Sequence, residues 1–142
     1  MQIGAKVAAI YELQSAWLEP RLRAIEVSWT TFQLFSAIQA AGGKSSQVAV
    51  ARRLGVTPAT LSETVFAHVQ NGLMLQVPST KDRRVKVLEL TETGKAQFRN
   101  IKKLVLASEK AIGSSLEEKD AQRLEELLDR IIASMEEKDA DG

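Results

Sequence analysis

Apolar residues recur at helical spacing through most of this chain, broken by short runs of glycine, proline and hydroxyl residues. Over residues 2–18, Ile3, Val7, Ile10 and Leu18 fall near one stripe with Tyr11 and Trp17 beside it, which predicts a helix. Pro20 interrupts that stripe, so the helix is expected to end or bend there, with residues 21–27 a short continuation or connector. Thr30-Thr31-Phe32-Gln33 reads as the next start, Thr30 capping and Gln33 returning the bond. Phe32, Leu34, Phe35 and Ile38 form its apolar face, and Gly42-Gly43 stops it. Ser45 or Ser46 opens a third helix with Val48, Val50, Ala51 and Leu54 as apolar positions, ended by Gly55. Thr57 as N-cap and Pro58 at the first helical position open a fourth, with Leu61, Val65 and Val69 inward and Gly72 closing it.

The period then changes. Leu73 to Val77 reads as extended, Pro78 to Arg84 as a polar turn, and Val85 to Leu90 partly alternates apolar with polar. This predicts a β-hairpin with a long basic tip. Thr91-Glu92-Thr93-Gly94 leads into a helix with Phe98, Ile101, Leu104 and Val105 inward, broken by Gly113. Ser114-Ser115-Leu116-Glu117-Glu118 offers two overlapping capping boxes for a last helix carrying Leu124, Leu127, Leu128, Ile131, Ile132 and Met135. The class is mainly α with one small hairpin, in a single domain spanning residues 1–142 without internal repeat.

The segment from Ser46 to Ser62 carries the most chemistry. Two short helices meet at a tight turn, with the small Ala51 where they would cross and Leu54, Val56 and Leu61 fixing the angle. A helix-turn-helix built this way projects its second helix into a DNA major groove. Thr57, Thr60, Ser62 and Gln70 would then face phosphates and base edges. The same helix pair also suits an all-α protein that never meets DNA. The hairpin directly behind it is the arrangement of a wing, and its tip holds Lys81, Arg83, Arg84 and Lys86. An arginine there can enter a minor groove, and Asp82 is placed to orient Arg84. The plain alternative is a solvated turn whose charges keep an edge strand from aggregating.

Composition narrows the classes. The 142 residues are 44% hydrophobic and 26% charged, ordinary for a globular protein able to bury a core unaided. Cysteine is absent and His68 is the only histidine, which excludes disulfides, thiolate sites and His-rich metal sites. No apolar run approaches a membrane span, and Met1 to Leu18 lacks the order of a signal peptide, so a cytoplasmic location is expected. Net charge is only +1, yet residues 44–86 hold seven basic against two acidic residues, a net +5. Residues 117–141 hold four against ten, a net −6. A basic middle suits a polyanion and the acidic end something else. The carboxylates of the last helix read as a solvated face. No constellation supports catalysis, and no cofactor is implied.

The run Asp82-Arg83-Arg84-Val85-Lys86-Val87-Leu88-Glu89-Leu90-Thr91-Glu92-Thr93-Gly94 resembles the wing of the MarR family of winged-helix regulators, through its Asp-x-Arg and Leu-Thr-x-x-Gly elements. Thr30-x-x-Gln33 and Gly72-Leu73 fit the same pattern, and the resemblance runs over nearly the whole chain. It implies that Arg84 is the minor-groove residue, Asp82 its support and Pro58 to Asn71 the recognition helix. Residues 28–92 would form the winged helix-turn-helix, and residues 1–27 and 93–142 the dimerisation helices. The chain departs from the pattern in its recognition helix, which has no Lys or Arg and carries Glu63. His68 stands where the family has an inward leucine. Arg52, Arg53 and the wing are left to supply affinity.

The remaining expectations concern partners. Ile3, Val7, Ile10, Leu124, Leu128, Ile131 and Met135 form stripes that a homodimer would bury, or that would pack on their own winged domain. Trp17, Trp29, Phe35 and His68 are either core or the lining of a pocket for a small aromatic effector; His68 is either a satisfied buried histidine or a sensor. The expected function is a dimeric repressor on a pseudo-palindromic operator of double-stranded DNA, released by such an effector. The alternative is a winged-helix protein-interaction module with little DNA binding of its own.

Overall fold

The computed structural model describes residues 1–141, as six helices and a three-stranded sheet. The elements are α1 (Ile3–Ala24), α2 (Trp29–Ala40), β1 (Lys44–Ser46), α3 (Gln47–Leu54), α4 (Pro58–Gln70), β2 (Met74–Pro78), β3 (Lys86–Leu90), α5 (Glu92–Gly113) and α6 (Glu118–Asp141). The chain separates into two compact units, Met1–Leu106 and the part from Ala107 onward, with the boundary inside α5.

The first unit holds one continuous core. Leu18 and Leu22 of α1, Leu34, Phe35 and Ile38 of α2, Val50 and Ala51 of α3, and Leu61 and Val65 of α4 are all buried. Met74, Leu88 and Leu90 close it from the sheet, and Ile101 from α5. The inward positions predicted for α2, α4 and α5 hold. On α3 the phase is shifted: Gln47, Val50 and Ala51 are buried, while Val48 is 57% exposed.

Two starts and one break differ from expectation. Pro20 lies inside α1, which runs on to Ala24. Burial of Leu18 and Leu22 on either side of the proline holds the helix through it, and the Arg21 guanidinium donates to the Trp17 carbonyl at 2.7 Å. The cap of α2 is Ser28 rather than Thr30: its hydroxyl accepts from the Thr31 N–H. Ser114 and Ser115 do not cap α6; the Ser114 hydroxyl turns back to the Ala111 carbonyl, and the Glu117 carbonyl receives the first bonds of α6.

The hairpin gains a strand the sequence pattern did not predict. β1 pairs antiparallel with β3, Lys44 opposite Glu89 and Ser46 opposite Val87, giving the order β1-β3-β2. Three residues are too short for a visible alternation. Pro78, expected in the turn, ends β2 opposite Lys86; an edge strand tolerates the lost donor.

In the second unit, α6 carries its apolar row along one helix. Leu124, Ile131 and Met135 are 42%, 38% and 65% exposed, and Leu128 is half-buried.

Candidate nucleic-acid interface

The reading head begins at two hydroxyl caps. Ser46 accepts from the Ala49 N–H and starts α3; Thr57 accepts from the Thr60 N–H and starts α4, with Pro58 at its first position. Between them Gly55 takes φ +68°, a left-handed conformation that costs glycine nothing. Val56 N–H then returns to the Ala51 carbonyl, where the side chain is small and buried. The turn sets α4 with Leu61 and Val65 inward. Ala59, Thr60, Glu63, Phe66, Ala67 and Gln70 are exposed on the far side.

A buried glutamine locks this head to the sheet. Gln47 donates from Nε2 to the Ser62 hydroxyl at 2.9 Å, and its Oε1 accepts from Gln76 of β2 at 2.6 Å. One side chain thereby spans α3, α4 and β2. At the other end of α4, His68 Nε2 meets the Thr31 hydroxyl at 3.0 Å, with its ring edge-on to Phe35. Burial pushes the His68 pKa below its ordinary value.

The tip of the hairpin is organised by one acidic side chain. The Asp82 carboxylate accepts from the Arg84 backbone N–H at 3.0 Å, from its Nε at 3.2 Å and from its Nη2 at 3.2 Å. These bonds from Arg84 hold the Asp82 carboxyl below its usual range. The Ser79 N–H donates to the Val85 carbonyl and the Val85 N–H to that of Asp82, which closes the turn. Arg84 stays largely exposed, clasped but available.

Thr91 fastens the base of the hairpin. Its hydroxyl donates to the Gly72 carbonyl at 2.6 Å and accepts from the Gly94 N–H at 3.1 Å, while its own N–H donates to the Leu73 carbonyl. Gly94 packs so closely on the Leu73 backbone that a Cβ there would overlap its carbonyl. This is the physical content of the Leu90-Thr91-x-x-Gly94 pattern. One threonine joins the end of α4, the return of β3 and the start of α5.

The expected DNA-contacting cations are exposed. Among the described residues Arg52, Arg53, Lys81, Arg83 and Lys86 form no ion pair, whereas Lys44 faces Glu89 at 3.7 Å. Thr57, Thr60 and Gln70 are also exposed. Ser62 is exposed too, but its hydroxyl is engaged by Gln47.

Of the four residues expected around an effector, Trp29 lines a groove of about 330 Å³ together with Tyr11, Gln14, Phe32, Arg53 and Val105, and Trp17, Phe35 and His68 are not among the residues lining it. Phe35 is fully buried and belongs to the core, because it lies on the inward stripe of α2. His68 packs against it, and Trp17 lies under the Arg21 guanidinium at 3.9 Å. Along α1, Ile3, Val7 and Ile10 are each about half exposed. Among the described residues, no three acidic or histidine side chains are grouped to hold a metal, and no helix is long and apolar enough to cross a membrane.

No family model matches the chain. Solved structures do match it. A MarR family transcriptional regulator from Silicibacter pomeroyi superposes with TM-score 0.79 at 20% identity, covering 91% of this chain and 86% of that one. NadR in complex with 4-hydroxyphenylacetate superposes with TM-score 0.78 at 18% identity, covering 92% of both. A mutant MarR from E. coli complexed with operator DNA gives 0.72 at 20% identity, covering 92% of this chain and 94% of that one. The chain has the MarR winged-helix fold.

Two features of this MarR-fold head escaped the reading of the sequence. The sequence pattern gives Gln47 no role, and only the three-stranded sheet brings Gln76 to it. Phe66 carried a usable signal: it sits five residues after Leu61 and one after Val65, off the inward stripe, and is 65% exposed.

Proposed function

We propose that the protein is a dimeric, DNA-binding transcriptional regulator of the MarR family, acting in the cytoplasm as a repressor. The observation that carries this reading is the wing. A bidentate Asp82–Arg84 clasp presents an exposed guanidinium beside a projecting helix with a polar start, and free cations flank both. Residues 28–92 serve as the reading head; residues 1–27 and 93–142 pair two copies. Half-exposed Ile3, Val7 and Ile10 on α1, and Leu124, Ile131 and Met135 on α6, are apolar rows that a second copy covers. Paired heads then enter successive major grooves of a pseudo-palindromic operator, with wings in the flanking minor grooves. No enzymatic step is assigned.

A small aromatic acid is the effector this reading favours. The groove beside Trp29 and Phe32 offers aromatic walls and the Arg53 guanidinium for a carboxylate. Occupying it would engage a cation otherwise free for phosphate, and so weaken DNA binding.

The test is selection of duplexes from a random pool by the purified full chain, followed by anisotropy titration with and without aromatic acids. Enrichment of an inverted repeat supports the reading. Absence of binding at low salt sinks it. The cation-free outer face of α4 favours one rival, a winged-helix interaction module with little DNA binding. Co-purification of a DNA-binding partner, with failure to bind DNA alone, would identify that case.

A further inference from the structure

The face that α4 turns outward is unusual for a protein meeting a polyanion. It holds no cation, yet it displays Phe66, 65% exposed, and Glu63, which is exposed and in no ion pair among the described residues. The helical period puts them side by side: Glu63 and Phe66 are three residues apart, a rise of about 4.5 Å. That is close to one base-pair step, about 3.4 Å per strand. The Gln47–Ser62 bond fixes the rotation of α4 about its axis, so this pair cannot turn inward without losing a buried partner.

We propose that Phe66 and Glu63 are specificity-determining residues that read thymine and an adjacent cytosine in the major groove. The proposal rests on the DNA-binding reading above and names the bases that its helix selects. The chemistry follows from what the groove displays. The thymine C5-methyl is the apolar group there, and an exposed phenyl ring gains by covering it. A carboxylate entering the groove needs a donor and is repelled by acceptors. Guanine offers two acceptors, N7 and O6; adenine pairs its amino donor with the N7 acceptor beside it; cytosine offers its N4 amino group alone. Glu63 therefore accepts from cytosine and penalises the purines at that position. Discrimination by exclusion also suits a head whose affinity comes from Arg52, Arg53 and the wing.

The experiment uses full-length protein and the operator enriched from a random duplex pool. Each dT is replaced singly by dU, which removes the methyl and keeps the pairing. One position in each half-site is expected to lose about three- to tenfold in affinity with the unaltered chain. That loss should disappear in Phe66→Ala and be partly retained in Phe66→Leu. At the neighbouring position, Glu63→Gln should move the preference from cytosine to adenine, because an amide supplies both the donor and the acceptor that adenine asks for. The dU scan on the unaltered protein needs no variant to fold. Binding indifferent to every dU, or a dU penalty unchanged in Phe66→Ala, overturns the inference while leaving DNA binding intact. Failure to enrich any duplex overturns both. A protein that instead captures a partner chain through Phe66, with no duplex enriched, also overturns it.

Discussion

Asp82 and Arg84 clasp each other through one backbone and two side-chain hydrogen bonds at the tip of the wing. Both groups face solvent, where an ion pair adds little to folding stability. What the clasp does is aim: it fixes a guanidinium that would otherwise sample many rotamers. Arg84→Ala is expected to weaken operator binding by roughly tenfold or more per half-site, with the melting temperature nearly unchanged. Asp82→Asn should cost less, since the backbone bond survives in part. Anisotropy titration paired with thermal melts separates the two effects. Full affinity in Arg84→Ala would remove the arginine from the interface. Because Arg84 holds the Asp82 carboxyl below its usual range, the clasp stays ionised throughout the neutral and mildly acidic range.

His68 behaves differently with pH. Burial favours its neutral ring, so the unfolded chain takes up a proton more readily than the folded one. Stability is therefore complete above the ordinary histidine value, about 6.5, and falls as pH drops below it. The decline is at most about 1.4 kcal/mol per pH unit, the limit for one proton. Urea midpoints measured between pH 7.5 and 5.5 should show this slope, and His68→Leu should flatten it. The assignment is clean because the chain has no other histidine. The buried Nδ1 has no partner to lose in the substitution, and Ser28 still reaches the Thr31 hydroxyl at 3.0 Å. An equal slope in His68→Leu would place the titration elsewhere.

Much of this fold was legible because its punctuation is chemical. Gly55, Thr57, Pro58 and Gly72 stand where a left-handed turn, a cap, a first helical residue and a stop are needed, and the structure uses each so. The inward stripes of α2, α4 and α5 follow the helical period for the same reason. Long-range pairing was not legible. Strand β1 is three residues long and is defined by its partner β3, and Gln47 finds Gln76 across 29 positions of chain. Pro20 misled because the local cost of a proline is overridden by burial of Leu18 and Leu22. Of the residues expected around an effector, aromatic character alone grouped Phe35 with Trp29, while helix phase sends one into the core and the other to a groove.

Gly94 and the Leu73 carbonyl are in such close approach that no side chain fits between them. Gly94→Ala must push α5 away from the base of the hairpin and strain the Thr91 bonds that join them. Overpacking of this kind costs about 1–3 kcal/mol. The same change at Gly4, where a Cβ meets nothing within 4 Å, should be neutral or slightly stabilising. Paired urea melts of the two variants read the difference directly. Equal stability would mean that the hairpin base yields at no cost.

Salt dependence tests where the affinity comes from. If α4 reads bases without cations, phosphate contacts fall to Arg52, Arg53, Lys81, Arg83 and Lys86, which are exposed and in no ion pair among the described residues. A dimer neutralising about eight phosphates should show a slope near −7 for log affinity against log salt. Replacing Lys81 by Gln removes one contact from each protomer, so the slope should become shallower by about 2. Replacing Glu63 by Gln removes no phosphate contact. It should leave the slope unchanged while altering which duplexes are preferred. A slope that moves with Glu63 and not with Lys81 would show that α4, not the wing, faces the phosphates.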